Sequence, residues 1–171
     1  MDYVLFLKDK FKMRRTHVIN YLIKRHKYNK YLEIGVRDPL STFKKIKCKN
    51  KDGVDPNPIG YCKYIMTSDQ FFAKEVKDKM YDIVFIDGLH LYKQVVRDIE
   101  NSLKYLSSKG TIVIHDCNPS CKESQCDSLK NRPSKWNGTV WKAFAFLRMT
   151  RKDLFMYVVN TDCGCGMINC Y

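Results

Sequence analysis

The stretch Tyr81 to Pro119, YDIVFIDGLHLYKQVVRDIENSLKYLSSKGTIVIHDCNP, constrains the fold more than any other part of the chain. Its opening run, Asp82 to Ile86, reads as a buried strand that ends on Asp87-Gly88. Tyr92, Val95, Val96, Ile99, Leu103 and Leu106 then recur at three- and four-residue spacing, as on one apolar face of a helix. Gly110 ends the helical region, and a second strand, Thr111 to Ile114, runs into His115-Asp116. A strand, a helix and a strand within about 35 residues form a βαβ crossover, whose strands lie parallel in one sheet. Both strands then finish on the same edge, the one where open α/β sheets bind ligands. A single acid at a strand end commonly starts a turn or caps a helix. Two acids (Asp87, Asp116) and two histidines (His90, His115) on one edge point to a site.

Earlier in the chain, Tyr31-Leu32-Glu33-Ile34-Gly35 reads as a first strand, and Lys51-Asp52-Gly53-Val54-Asp55 as a second one ending in Asp55-Pro56. The interval from Glu33 to Asp55 matches that from a nucleotide-binding turn to the acid that holds a ribose. One carboxylate accepts two hydrogen bonds from adjacent ribose hydroxyls, and Gly35 lets a ligand approach the backbone. A third short strand is expected at Lys63 to Met66, then a polar turn, Thr67-Ser68-Asp69, into a helix carrying Phe72, Val76 and Met80. Residues 117–135 form a polar loop long enough to serve as a lid or substrate loop. Trp136-Asn137-Gly138 leads into a helix with Val140, Trp141, Phe144 and Leu147 inward. Leu154 to Val159 and Gly166 to Cys170 close the chain as two strands.

A length of 171 residues suits one domain, 1–171, and shows no linker that would split it. Residues 1–30 read as a basic helical lead-in, with Thr16 as helix cap and Val18, Ile19, Leu22 and Ile23 on the packed face. The formal charge is +13, concentrated in nine Lys/Arg from Lys8 to Lys30 and five lysines from Lys44 to Lys51. Such a surface attracts phosphates, yet no aromatic-interleaved RNA-binding signature accompanies it. No window approaches the roughly 18 apolar residues of a membrane span, and the N-terminus lacks a signal-peptide pattern, so a cytoplasmic protein is expected. Eight cysteines contain no CxxC pair, and the spacing of Cys117, Cys121 and Cys126 does not match paired zinc ligands. Free thiols are the expected state. The apolar Tyr3 to Leu7 leaves pairing with another subunit open.

Taken together these segments resemble a class I S-adenosylmethionine-dependent methyltransferase. Tyr31 to Gly35 is similar to that family's first motif, Gly53-Val54-Asp55-Pro56 to the second, Ser68-Asp69 to the adenine-side turn, and Asp82 to Gly88 to the fourth motif. FIDGLHLY, a helix and then IHDC resemble more narrowly the small-molecule O-methyltransferase branch that includes macrocin-type sugar methyltransferases. The resemblance implies a Rossmann-like, doubly wound α/β fold. Its mostly parallel seven-stranded sheet has the order 3-2-1-4-5-7-6, an antiparallel last strand and flanking helices. It places Glu33 and Gly35 at the methionine end of the cofactor and Asp55 on the ribose. Ser68 and Asp69 then lie beside the adenine, and Asp87 faces the sulfonium and substrate. It further implies a divalent cation such as Mg²⁺ at Asp87 and Asp116. One departure stands out: where the family carries further glycines, Gly35 is followed by Val36-Arg37-Asp38-Pro39, which narrows the cofactor pocket.

A hydroxyl acceptor needs a base, or a metal that lowers its pKa. His90 is the candidate base, three residues beyond Asp87; a helix-capping histidine is the alternative. His115 and Asp116 are consecutive, so in a regular strand they face opposite sides, and Asp116 is the one expected in the site. Three functions remain in play. The favoured one is metal-assisted O-methylation of a small hydroxylated molecule such as a sugar. The basic lead-in motivates an RNA methyltransferase, without that class's Asn-Pro-Pro-Tyr signature. The Arg37 to Pro39 turn motivates a cofactor-binding protein without turnover.

Overall fold

The structure, a computed structural model, describes residues 13–170; the Tyr3 to Leu7 segment lies outside them. Helix α1 (Arg15–His26) precedes β1 (Lys30–Ile34) and β2 (Asn50–Val54), with α2 (Ser68–Lys74) next in the chain. The βαβ unit is β3 (Tyr81–Ile86), α3 (Tyr92–Lys104) and β4 (Leu106–Ile114), followed by α4 (Val140–Thr150), β5 (Leu154–Val159) and β6 (Cys165–Cys170). The sheet has six strands in the order β2-β1-β3-β4-β6-β5; β1 to β4 are parallel, and β6 runs antiparallel to both its neighbours. This is the expected order and polarity with one strand fewer. The third expected strand shrinks to a single parallel bridge between Val54 and Tyr64. Tyr64 and Met66 pack against the core while Ile65 between them points to solvent. Only four residues separate the turn after Cys62 from the Thr67 cap, which leaves no length for a longer ladder.

Alternation along the strands divides the core into two layers. Leu32, Ile34, Val84, Ile86, Ile112 and Ile114 pack under α2, α3 and α4, and Tyr31, Ile83, Phe85 and Val113 pack under α1. Fully burying side chains of this size contributes roughly 1.5–3 kcal/mol each. Several local expectations are corrected. Arg14, not Thr16, is the N-cap of α1, and Lys27 in the left-handed region (φ 58°) ends it. Helix α2 stops at Lys74, leaving Val76 buried beyond it and Met80 exposed. Leu106 belongs to β4, not to α3, and Gly110 lies within that strand. There a Cβ would meet Leu106 and the Asp82 carbonyl. Ala143 rather than Trp141 completes the fully buried face of α4.

Candidate active site

Register sets the site. Ile86 pairs with Ile114, and the His115 amide donates to the Ile86 carbonyl at 3.0 Å, so β3 and β4 end abreast and Asp87 and His115 emerge together. The strand has ended by Asp116, which takes φ 63°. That turn removes the alternation expected of a strand, and His115 and Asp116 both face the site. The expectation that only Asp116 would do so is corrected.

Two imidazoles stand between the two carboxylates. His90 Nε2 lies 3.3 Å from Asp87 Oδ1 and His90 Nδ1 3.1 Å from Asp116 Oδ2, while His115 Nδ1 is 3.2 Å from Asp87 Oδ1 and 3.1 Å from Asp116 Oδ1. Arg15, from the first turn of α1, closes the group: its guanidinium reaches Asp162 at 3.0 Å, His115 Nε2 at 3.0 Å and Asp87 at 3.8 Å. Burial alone would raise the pKa of Asp87; the adjacent His115 and His90 reverse this and hold it below the usual carboxylate range. Burial would lower the pKa of His90, and Asp87 and Asp116 raise it instead. His115 is raised likewise, chiefly by Asp87, although Arg15 opposes a proton on Nε2. His90 thus favours its protonated form, which is the wrong form for a base.

The loop after residue 117 builds the wall. Trp136 stacks on His90 with ring centroids 5.1 Å apart, and its indole N–H donates to the Cys126 carbonyl. Asn137 Nδ2 donates to Asp116 Oδ1 at 2.6 Å, and the Thr139 amide donates to the His90 carbonyl at 2.8 Å. Gly138 is required here: its φ is 61°, and a Cβ would fall 2.1 Å from the His90 carbonyl oxygen. Neither Arg15, Asp162 nor Asn137 was expected in the site. Only the Trp136-Asn137-Gly138 signature, read as a lead into a helix, marked one of them.

A cavity of about 1030 Å³ runs from this cluster across the carboxyl edge of the sheet. Gly35, Asp55, Ser68, Asp69, Asp87 and His90 line it, together with Arg132, Pro133 and Ser134 of the long loop. Glu33 does not. Its side chain lies in the α1 layer, 1% exposed, with the Tyr31 hydroxyl donating to it at 2.5 Å. Burial raises its pKa to about 8, with Tyr31 pulling the other way. Gly35 has φ 90°, and a Cβ would lie 2.3 Å from the Asp87 carbonyl oxygen. Its missing side chain therefore admits the neighbouring loop, a different reason from the expected approach of a ligand. Asp55 accepts from the Arg37 amide at 2.8 Å and from the Asn57 amide at 2.7 Å, so it ties together the turns that follow β1 and β2.

The donor set also suits a cation. One atom each from Asp87, His90 and Asp116 lie within 4.8 Å of one another, and no other such group of three occurs among the described residues. All eight thiols are free. No helix among the described residues is long and apolar enough to cross a membrane.

A doubly wound sheet of this order, with its cavity and acids on the carboxyl edge, defines a Rossmann-like methyltransferase-type fold. A family model described as a methyltransferase domain matches residues 23–117, more than half of the chain, and the chain belongs to that family. Among curated proteins no sequence matches. Solved structures share the fold at low identity. An O-methyltransferase from Bacillus cereus, in complex with SAH, has a TM-score of 0.61 at 12% identity, over 90% of this chain and 79% of that one. The O-methyltransferase TomG from Streptomyces achromogenes, in complex with SAM, has a TM-score of 0.59 at 11% identity, over 90% and 78%. The MycE methyltransferase of the mycinamycin biosynthetic pathway, in complex with Mg, SAH and mycinamycin VI, has a TM-score of 0.60 at 15% identity, over 90% and 48%.

Proposed function

We propose that the chain is a single-domain S-adenosylmethionine-dependent O-methyltransferase acting on a small hydroxylated molecule of the sugar class, with a divalent cation at Asp87 and Asp116. The observation that carries this reading is the Asp87–His90–Asp116 cluster at one end of the cavity. Oxygen ligands with room for water favour Mg²⁺ or Mn²⁺ over zinc. When bound, such a cation lowers the pKa of an acceptor hydroxyl.

The chain's own residues would do the rest. Asp55 would hold the ribose through the lone pairs left free by Arg37 and Asn57. Ser68 and Asp69 would border the base. Gly35 and the Val36 to Pro39 turn would bound the methionine end, with Arg37 and Asp38 lining the wall. Glu33 would act there only through the position of β1. Residues 132–136 would cover the acceptor and exclude water, the role proposed for the 117–135 loop. Asp87 and Asp116 raise the pKa of His90 against the effect of burial and so favour its protonated form. His90 becomes a base only where other positive charge meets those carboxylates, and it can then take the proton of the acceptor hydroxyl. Trp136 stacking and the Thr139 amide fix its ring meanwhile.

The RNA reading gains no path to this site from the exposed charge. Lys27, Lys30, Lys47 and Lys49 flank the amino-terminal ends of β1 and β2, whereas Asp87 lies at the carboxyl edge. We place the enzyme in the cytoplasm, where free thiols persist. The test is calorimetric titration with S-adenosylhomocysteine, then methyl transfer to a panel of glycosides, catechols and tRNA with and without EDTA. Chelator-sensitive methylation of a glycoside or catechol is expected. Site-specific methylation of the tRNA, or cofactor binding with no product from any class, would overturn the proposal.

A further inference from the structure

A group of cations lies at the edge of the sheet opposite the active site, and little acid answers it. From Lys10 to Lys51 the sequence holds only two acids, Glu33 and Asp38. Glu33 is buried and Asp38 lines the cavity, so neither meets this edge. Lys24, Lys27, Lys30, Lys45, Lys47 and Lys49 are all exposed, and none has an ion-pair partner among the described residues. Hydrogen bonds hold the two segments that carry them side by side. Asn20 Nδ2 donates to the Lys45 carbonyl at 3.0 Å, and the Lys47 amide donates to Asn20 Oδ1 at 2.7 Å. Lys24 lies one turn beyond Asn20 on the same flank of α1, and Lys27 ends the helix. The Asn50 amide and side chain donate to the Asn29 carbonyl at 3.0 and 3.1 Å, and Lys30 pairs with Asn50, which brings Lys49 beside Lys30. A carboxylate does stand at this edge, Asp82, but its oxygens already accept from the Asn29 and Lys30 amides and the Ser107 hydroxyl. The end of a helix explains part of the charge, since cations suit its exposed carbonyls. It does not explain Lys45, Lys47 and Lys49, which lie on the approach to β2.

We propose that this face docks the phosphodiester backbone of RNA, by charge and without reading its sequence. Lysines set against phosphates release condensed counterions, which drives binding with no contact to a base edge. Tyr21, 65% exposed and one turn before Lys24, adds a ring on which an unpaired base can stack. An anionic bilayer is the poorer match. Val18, Ile19, Leu22 and Ile23, the apolar side of α1, are buried in the layer under that helix, so α1 has no apolar face left to insert into lipid. The inference goes beyond the proposed function and does not depend on it. Asp87 stands at the other edge of the strands, so RNA held here is a docking partner and not the methyl acceptor.

The experiment is fluorescence anisotropy of a labelled RNA hairpin of mixed sequence, titrated with the full chain over a series of salt concentrations. A face variant carries Lys24→Gln, Lys30→Gln, Lys47→Gln and Lys49→Gln. A control variant of equal net charge carries Lys74→Gln, Lys93→Gln, Lys122→Gln and Lys152→Gln, all exposed and elsewhere on the surface. Thermal melting checks that each variant folds. Wild-type affinity should fall steeply as salt rises. The face variant should bind at least about tenfold more weakly and lower the salt slope by about four, roughly one for each phosphate contact removed. The control variant should leave both near wild type. Absent or salt-insensitive binding by the wild type, or equal losses in the two variants, overturns the proposal. So does binding to phosphatidylserine vesicles that the face variant loses while its RNA binding is unchanged. If the face variant does not fold, Lys47→Gln with Lys49→Gln, set against Lys122→Gln with Lys152→Gln, decides by the same comparison. S-Adenosylhomocysteine should bind wild type and both variants alike; its failure to bind the wild type would overturn the proposed function and leave the docking face standing.

Discussion

Replacing Glu33 by glutamine should stabilise the protein, and by an amount that grows with pH. The carboxyl is 1% exposed in the layer under α1, where the Tyr31 hydroxyl donates to Oε2. An amide oxygen can accept that same hydrogen bond, so the substitution removes the ionisation and little else. Burial, offset in part by Tyr31, raises the folded pKa from 4.5 to about 8. For an acid whose pKa is raised by folding, the unfolded chain releases its proton first. The wild type therefore keeps its full stability below pH 4.5 and loses it progressively until the pH passes about 8. At about 1.4 kcal/mol per pH unit the whole interval amounts to roughly 5 kcal/mol, and most of it is already lost by pH 7. Urea unfolding followed by circular dichroism at pH 5, 7 and 9 would measure it. The advantage of Glu33→Gln over wild type should be smallest at pH 5 and reach roughly 3–5 kcal/mol at pH 9. Binding of S-adenosylhomocysteine should persist, because Glu33 does not line the cavity. A constant difference across the three pH values would refute the reasoning. Loss of binding in a folded variant would restore Glu33 to the cofactor site.

Other substitutions probe the residues that follow the strand ends. Asp55→Ala should weaken S-adenosylhomocysteine binding by roughly 1.5–3 kcal/mol in calorimetry. It should also lower the unfolding free energy, since the Arg37 and Asn57 amides lose their acceptor; unchanged affinity would remove Asp55 from the ribose. Asp87→Asn and Asp116→Asn should each abolish methyl transfer while binding S-adenosylhomocysteine, and EDTA should reproduce this in the wild type. Wild-type turnover by Asp116→Asn in the presence of chelator would mean no cation is used. Gly138→Ala should cost both stability and activity, because its Cβ would strike the His90 carbonyl; a variant with native melting and turnover would show that the 136–139 turn does not hold His90.

The βαβ unit was legible because its two signals are local: a β-rich run, then a 3.6-residue period. The strand ends followed from it, and so did the edge carrying Asp87 and Asp116. What failed were boundaries decided by the neighbours. Leu106 fits the apolar face of α3 by spacing, but it pairs with Tyr81 as the first residue of β4. Lys63 to Met66 has the length of a strand, yet the Thr67 cap of α2 follows at once and the segment keeps one bridge to β2. Glu33 shows the limit of motif reading. It lies in the first strand as expected, but pleating alternates side chains, and Glu33 shares the face of Tyr31 rather than the face bordering the cavity.

The charge balance of the site was the part least open to reading from sequence. The resemblance implied a divalent cation at Asp87 and Asp116. The fold answers first with donors of its own: His90 and His115 between the acids, and Arg15 drawn in from residues that looked like a solvated basic lead-in. Asp162, from the turn before β6, balances Arg15 in turn at 3.0 Å. The Arg15–Asp162 pairing has no sequence signature, since the two residues are 147 residues apart. It arises because α1 and the β5–β6 turn both reach the carboxyl edge. A divalent ion entering this group would compete with imidazolium protons rather than occupy a bare pair of acids. Its apparent affinity should therefore rise with pH as His90 gives up its proton. Titrating Mn²⁺ into the cofactor-loaded protein at pH 6 and pH 8 tests this, with tighter binding expected at pH 8. Equal affinity at both would mean that His90 does not hold a proton in competition with the metal.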